Sequence, residues 1–184
     1  EKILIDELRP VEGVSSFEKR VKLKVFVEPV KGLRDPSFYL DVEMDNNKFK
    51  SGDELAFKIT PSIDCYVYVF NFLANHHIQL MYPNYYMNDN FIQAKTTLEI
   101  PDKRMREFIT ITVSPMPEED ITSESIYIVC TKKPVKIIED IPIISTSMKT
   151  FPYQSDDFVE FQKWLTKIPL DQRVEKNLSY FIIK

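Results

Sequence analysis

Residues 64–84 decide the fold, and their sequence is Asp64-Cys65-Tyr66-Val67-Tyr68-Val69-Phe70-Asn71-Phe72-Leu73-Ala74-Asn75-His76-His77-Ile78-Gln79-Leu80-Met81-Tyr82-Pro83-Asn84. Residues 65–73 are almost all β-branched or aromatic, which suits a buried strand. Residues 74–76 form a polar break, and asparagine tolerates the left-handed backbone that hairpin turns need. Residues 78–82 alternate until Pro83, which has no N–H to give to a ladder. This stretch predicts a β-hairpin at the centre of a β-sandwich.

Short segments with strand character flank the hairpin on both sides, and most of them place apolar residues at every second position. They are residues 21–27, 38–44, 54–60, 96–100, 107–113, 125–130 and 178–183. Residues 1–10 are expected to form a helical turn or the tail of a preceding segment, with a connection over 11–20. Many short strands at regular spacing predict a mainly all-β protein, an antiparallel β-sandwich rather than a parallel sheet.

The last quarter of the chain changes to a helical period. Ser155 can cap a helix, and Asp156 and Asp157 suit its positive end. One apolar face follows, formed by Phe158, Phe161, Trp164, Leu165 and Ile168. We therefore predict one C-terminal helix over 155–168 that packs on the edge of the sandwich or closes one end of it.

Three segments describe the predicted organisation of the chain. Residues 1–37 hold an N-terminal strand and a connection, and residues 38–138 hold the β-sandwich core. Residues 139–184 are a C-terminal extension, with the helix and a final strand packed on the same domain.

Composition narrows the classes of function. The chain has 184 residues, 43% of them hydrophobic, and a formal net charge of −4. It can therefore build a core without disulfides, and it shows no basic patch for nucleic acid. No apolar run is long enough to span a membrane. The chain begins with Glu1 rather than Met, so we expect that a signal, a tag or an upstream domain was removed.

Cys65 and Cys130 each lie in an apolar predicted strand. The first interpretation is two buried thiols that act as small hydrophobic side chains. The alternative is a disulfide across neighbouring strands, which an exported protein could form.

Residues 82–91 are the best binding candidate. Aromatic rings offer contact area and amides fix orientation, a combination that suits a sugar or peptide ligand. The predicted site residues are Tyr82, Asn84, Tyr85, Tyr86, Asn88, Asp89 and Asn90. The alternative is a loop that folds its aromatic side chains onto the core while its Asn and Asp residues hold turns.

Catalysis finds little support in the sequence. His76 and His77 are adjacent, so they point different ways in an extended chain and chelate one metal poorly. We expect them to be exposed turn residues. The acidic pairs at 118–120, 139–140 and 156–157 fall in predicted loops or at a helix start, where solvated carboxylates are ordinary. We predict no catalytic residues, no metal site, no cofactor and no enzymatic activity.

A set of spaced motifs resembles a known bacterial family. Phe49 precedes Gly52, the strand at 64–69 follows, and then come Leu80-Met81-Tyr82-Pro83-Asn84 and Ile100-Pro101. These motifs, over about residues 38–135, resemble a domain of unknown function found in exported proteins and lipoproteins and fused to protein kinases and caspase-like peptidases. Phe49 stands where the family usually has Tyr, and Cys65 stands where Gly is common. The resemblance implies an immunoglobulin-like sandwich without an assigned activity.

These observations together predict a non-catalytic interaction module of an exported or multidomain bacterial protein. We expect a protein or glycan partner in the periplasm or cell envelope, and no nucleic-acid partner. The alternative is a regulatory or sensor domain of a larger kinase- or peptidase-containing protein, which would be cytoplasmic. A glycan-binding module or a hydrolase with converging carboxylates is a further, weaker alternative.

Overall fold

A computed structural model describes residues 2–10, 17–24, 27, 29–75, 77–84, 87–108, 110–136 and 157–184. Within them the chain forms eleven strands, two α-helices and one 3₁₀ turn. The strands are β1 Lys2–Pro10, β2 Phe17–Lys24, β3 Leu40–Glu43, β4 Lys48–Lys50, β5 Phe57–Pro61, β6 Cys65–Phe72, β7 Ile78–Tyr82, β8 Phe91–Ile92, β9 Leu98–Ile100, β10 Ile121–Thr131 and β11 Arg173–Ile183. The helices are α1 Lys103–Arg106 and α2 Asp157–Thr166, and the 3₁₀ turn is Leu170–Gln172.

The strands form three sheets. A six-stranded sheet has the order β4-β11-β10-β6-β7, with β8 on β6, and a three-stranded sheet has the order β3-β5-β9. β1 and β2 form a separate antiparallel hairpin. The two larger sheets correspond to the A-B-E and G-F-C sheets of an immunoglobulin sandwich. The predicted all-β sandwich with a C-terminal helix is confirmed, with one parallel pair, β4 on β11, among the antiparallel ones.

The predicted central hairpin is confirmed as β6 and β7. The two strands pair antiparallel from Phe72 opposite Ile78 to Val69 opposite Tyr82, with one irregularity next to Val69. On its other side β6 pairs with β10 from residue 66 to residue 72. The hairpin therefore lies within the larger sheet, and β6 is one of its most buried strands.

The main core lies between the two sheets. Inward side chains of β6 and β10 meet those of β5 and β9, and every second residue of these strands contributes. The fully buried members include Ile59, Val67, Val69, Ile128 and Ile182. The alternation predicted for residues 38–44 is also present, since Phe38 is buried, Leu40, Val42 and Met44 are half-buried, and Asp41 and Glu43 are exposed.

Helix α2 covers the opposite face of the six-stranded sheet. Phe161 and Trp164 pack against Phe70 with ring centroids 4.9 and 5.4 Å apart, in edge-to-face geometry. Leu165 and Ile168 join the same second core, together with Tyr68, Leu80 and Val129. The helix thus lies on a sheet face, rather than at the edge or end of the sandwich where we expected it.

Arg173 fixes the end of α2 to the sheet. Its guanidinium donates to the carbonyls of Leu165 and Ile168 and, at 2.6 Å, to the carboxylate of Glu175. The hydroxyl of Tyr127 donates to the same carboxylate. Burial and the neighbouring Glu175 raise the pKa of Tyr127, so the phenol stays protonated and remains a donor. A cation at the carbonyl end of a helix complements the helix dipole.

Several expectations were wrong or lie outside the described residues. Residues 2–10 form a strand and not a helical turn, and the second strand begins at Phe17 rather than at residue 21. The described members of residues 107–113 form one isolated bridge, from Thr112 to Glu54, and not the strand we expected. Phe158 was expected on the apolar face of α2 but is 54% exposed. Val25, Phe26, Ile109, Ser155 and Asp156 lie outside the described residues.

Candidate interaction surfaces

Two predicted ligand-binding residues, Tyr82 and Asn84, are buried. The hydroxyl of Tyr82 donates to the backbone carbonyl of Asp89 at 2.6 Å, and burial raises its pKa above the usual value of tyrosine. Asn84 donates to the carbonyl of Met81 at 2.7 Å and accepts the N–H of Met87 at 3.0 Å. Both side chains therefore hold the start of the loop in its path across the core.

The remaining predicted loop residues are placed differently. Asn90 is half-buried and donates to the carbonyl of Val67 at 3.1 Å, which ties the loop to β6. Asp89 is exposed and accepts the N–H of Phe91 at 3.1 Å, and Asn88 is exposed. Tyr85 and Tyr86 lie outside the described residues. Ligand binding by this loop stays a prediction, and among the described residues its exposed members are Asn88, Asp89 and Phe91.

Cys65 and Cys130 are both free and buried in the structure. Both belong to the core between the sheets, on the neighbouring strands β6 and β10. Burial raises the pKa of the Cys130 thiol, and the adjacent Cys65 thiol raises it further. The Cys130 thiol is thus protonated, and a disulfide between Cys130 and Cys65 stays a prediction.

A buried polar cluster, which the sequence analysis missed, lies at one end of the main core. The hydroxyl of Tyr180 donates to the carboxylate of Glu124 at 2.6 Å and lies 3.2 Å from the amide oxygen of Asn71. Burial and the neighbouring Glu124 raise the pKa of Tyr180. Polar residues at inward positions of apolar strands were the available signal. The three groups satisfy one another, which suits a structural role.

His77 and the acidic run at 118–120 differ in their exposure to solvent. His77 is half-buried rather than exposed, and its backbone N–H is bonded to the side chain of Asn75 at 3.2 Å. Glu118, Glu119 and Asp120 are all exposed. His76 and the acidic pair at 139–140 lie outside the described residues.

Within the described part of the chain, no strand pairs with residues 174–179 of β11 on the side away from β10, and we call this stretch the β11 edge. β4 covers only residues 181–183 of that edge, with bonds from the N–H of Phe181 to the carbonyl of Asn47 and from the N–H of Ser51 to the carbonyl of Ile183. Backbone groups alternate in direction along a strand, so the N–H and C=O groups of Glu175, Asn177 and Ser179 point outward, away from β10. No described residue bonds to these outward N–H and C=O groups.

Apolar side chains line the inner side of the β11 edge. Val174 and Leu178 are only half-buried, although they point towards the main core. β3, an edge strand of the other sheet, lies beside β11 and contributes Leu40 and Val42, which are also half-buried. Backbone groups without a partner among the described residues and half-buried apolar side chains thus coincide along the β11 edge.

Comparison with known proteins gives a partial match to one family of unknown function. Residues 48–134 match a domain of unknown function (DUF4384), which confirms the predicted resemblance to such a domain over that part of the chain. The match spans β4 to β10, so β3, α2 and β11 lie outside it. No curated protein matches the chain. Among the described residues, no helix is long and apolar enough to cross a membrane.

Proposed function

We propose that this chain is a non-catalytic interaction module that binds an extended segment of a protein partner along the β11 edge. The single observation that carries the proposal is the coincidence, over residues 174–179, of outward backbone groups and half-buried apolar side chains. A partner strand would bond to the former and cover the latter, which is the usual mode of strand addition to a sheet.

In the proposed complex, two different sets of groups would supply affinity and specificity. Ladder bonds to Glu175, Asn177 and Ser179 would supply affinity that depends little on the partner's sequence. Alternate side chains of the partner strand would point inward and contact Val174 and Leu178. A partner with apolar residues at every second position would therefore bind best.

The test uses a substitution that removes one outward N–H and leaves the other side of β11 intact. Asn177→Pro deletes an N–H that points away from β10, and proline is tolerated at such edge positions. Asn177→Ala is the matched control, because it keeps the N–H. Peptides are selected from a displayed library on the wild-type chain, and their affinities for the three proteins are measured by calorimetry. Amide exchange of residues 175, 177 and 179 is followed by NMR.

We expect selected peptides to slow exchange at residues 175, 177 and 179, to bind Asn177→Ala normally and to lose at least tenfold affinity for Asn177→Pro. Circular dichroism and urea unfolding would show that both variants stay folded. Selected peptides that bind Asn177→Pro as tightly as the wild type would place recognition elsewhere. Failure to select any peptide would overturn the proposal.

The cellular setting stays a prediction, because the family match carries no location or fusion partner. Our first expectation is an exported protein in the periplasm or cell envelope. The alternative is a regulatory or sensor domain within a larger kinase- or peptidase-containing protein. Strand addition at the β11 edge is compatible with both settings, since it needs only an accessible extended segment.

A further inference from the structure

Lys176 occupies the middle of the inner side of the β11 edge. It lies opposite Ile128 in the register of β10 and β11, two residues from Val174 and two from Leu178. Alternation places all three side chains on the face that meets the main core. Val174 and Leu178 are half-buried there, whereas Lys176 is exposed. Its ammonium therefore reaches solvent from between two apolar side chains.

No described residue pairs with this ammonium. The ion pairs within the described part of the chain involve other lysines or Arg173, and Lys176 takes part in none of them. The adjacent Glu175 points to the other face, where Arg173 and Tyr127 bond to its carboxylate. On the neighbouring strand β3, Asp41 and Glu43 alternate with the inward residues and so face the outside of the small sheet.

We propose that Lys176 is a specificity-determining residue that selects a partner strand with a carboxylate at the inward position facing it. The inference rests on the proposed function and names the class of partner. The matching segment has the pattern apolar-x-acidic-x-apolar, with the apolar residues over Val174 and Leu178. This pattern reads the same in both chain directions, so it holds for a parallel and for an antiparallel partner.

The charge selects by penalty as well as by attraction. A partner strand that is apolar at all three inward positions would cover the ammonium without a counter-charge, which is costly. A lysine at that position would add like-charge repulsion. An inward charge on an edge strand also opposes unspecific edge-to-edge pairing. Lys176 therefore disfavours strands without an acidic residue at this position and favours strands whose carboxylate neutralises its charge.

The test uses three synthetic peptides that differ at one residue: Thr-Val-Thr-Glu-Thr-Val-Thr, its Gln variant and its Lys variant, all with blocked termini. Each is titrated into the wild-type chain, Lys176→Gln and Lys176→Glu, with NMR shifts at residues 175, 177 and 179 as the readout. Lys58→Glu is the control, because it makes the same charge change on the exposed outer face of the other sheet. Titrations at low and high salt measure screening.

We expect the wild-type chain and Lys58→Glu to prefer the Glu peptide over the Gln peptide by about fivefold, as for an opposite-charge pair across strands. Lys176→Gln should lose this preference, and Lys176→Glu should prefer the Lys peptide. High salt should reduce both preferences. Equal binding of all three peptides at the β11 edge would overturn the charge selection and leave the proposed function standing. Binding of none of them at millimolar concentration would overturn both.

Discussion

The outer face of the three-stranded sheet carries Asp41, Lys58 and other polar side chains and is open to water. The outer face of the six-stranded sheet carries Tyr68 and Phe70, and α2 covers it. On the first face Lys58 lies between strand neighbours Glu43 and Glu99, with its ammonium 3.7 Å from the carboxylate of Glu99. On the second face the contacts are aromatic edge-to-face pairs.

The difference between the two outer faces follows from the sequence period of their strands. A strand with one polar side, such as β3, needs cover on one face only. β6 is apolar on both sides, so it is stable only between two layers, and α2 provides the second layer. Among substitutions outside the main core, those between α2 and the six-stranded sheet should therefore lower the free energy of unfolding most.

The largest expected effect comes from Phe161, which is fully buried between α2 and the sheet. Phe161→Ala removes contacts to Phe70 and Phe72 and leaves a cavity, so we expect a loss of about 3–5 kcal/mol in the free energy of unfolding. Tyr39→Ala is the matched aromatic truncation on the small sheet's side, where Tyr39 is 60% exposed. We expect it to cost less than about 0.5 kcal/mol. Urea unfolding of both variants measures the difference.

A similar small loss for both variants would contradict the comparison. It would mean that α2 contributes little to the folded state in solution. If Phe161→Ala lowers the urea midpoint but leaves the slope of the unfolding free energy against urea concentration unchanged, α2 unfolds together with the rest of the sandwich.

The second prediction compares ion pairs on the two faces. The side chain of Arg173 is 5% exposed and that of Lys58 is 50% exposed. Arg173→Met leaves the carboxylate of Glu175 buried without its cation and frees two carbonyls of α2, so we expect a loss of about 3 kcal/mol. Lys58→Met should cost less than about 0.5 kcal/mol, because exposed pairs contribute little. Thermal and urea unfolding measure both.

A second substitution separates the lost charge pair from lost packing. Arg173→Met/Glu175→Gln removes the uncompensated charge and keeps an acceptor for the hydroxyl of Tyr127. We expect it to recover about half of the loss. A double variant that is no more stable than Arg173→Met would show that packing, and not charge, dominates at this position.

The period of the sequence predicted most of the sandwich, and its failures have physical causes. The continuous apolar run at 65–73 predicted a buried strand, and the alternation at 38–44 predicted a strand with one apolar side. The strand at residues 2–10 was not predicted because its register shifts between Ile3 and Ile5, which interrupts a simple alternation of side chains. Residues 107–113 also alternate, yet their described members form one isolated bridge, from Thr112 to Glu54, so alternation alone did not make a strand.

The periodicity of the sequence could not predict the β11 edge. Whether a strand has one neighbour or two depends on sheet order, and side-chain alternation is the same in both cases. β4 covers only the last residues of β11, and nothing in the sequence of either strand indicates that offset. The loop at 82–91 looked like a binding site because of its composition, but Tyr82 and Asn84 use their polar groups to bond the loop itself.

The smallest expected effect concerns an ion pair of intermediate burial, Lys132 with Asp35, whose side chains are each 27% exposed. Lys132 at 2.5 Å, together with the hydroxyl and N–H of Ser37, lowers the pKa of Asp35 from 3.8 to about 2. A lowered pKa means that the stabilisation is complete above about pH 4 and is lost as the pH falls towards 2. The stability difference between the wild-type chain and Asp35→Asn should therefore shrink across this window. Lys132→Met should weaken the dependence of the unfolding free energy on pH in the same range. If the stability difference between the wild-type chain and Asp35→Asn stays constant from pH 5 to pH 2, the ion pair does not form in solution.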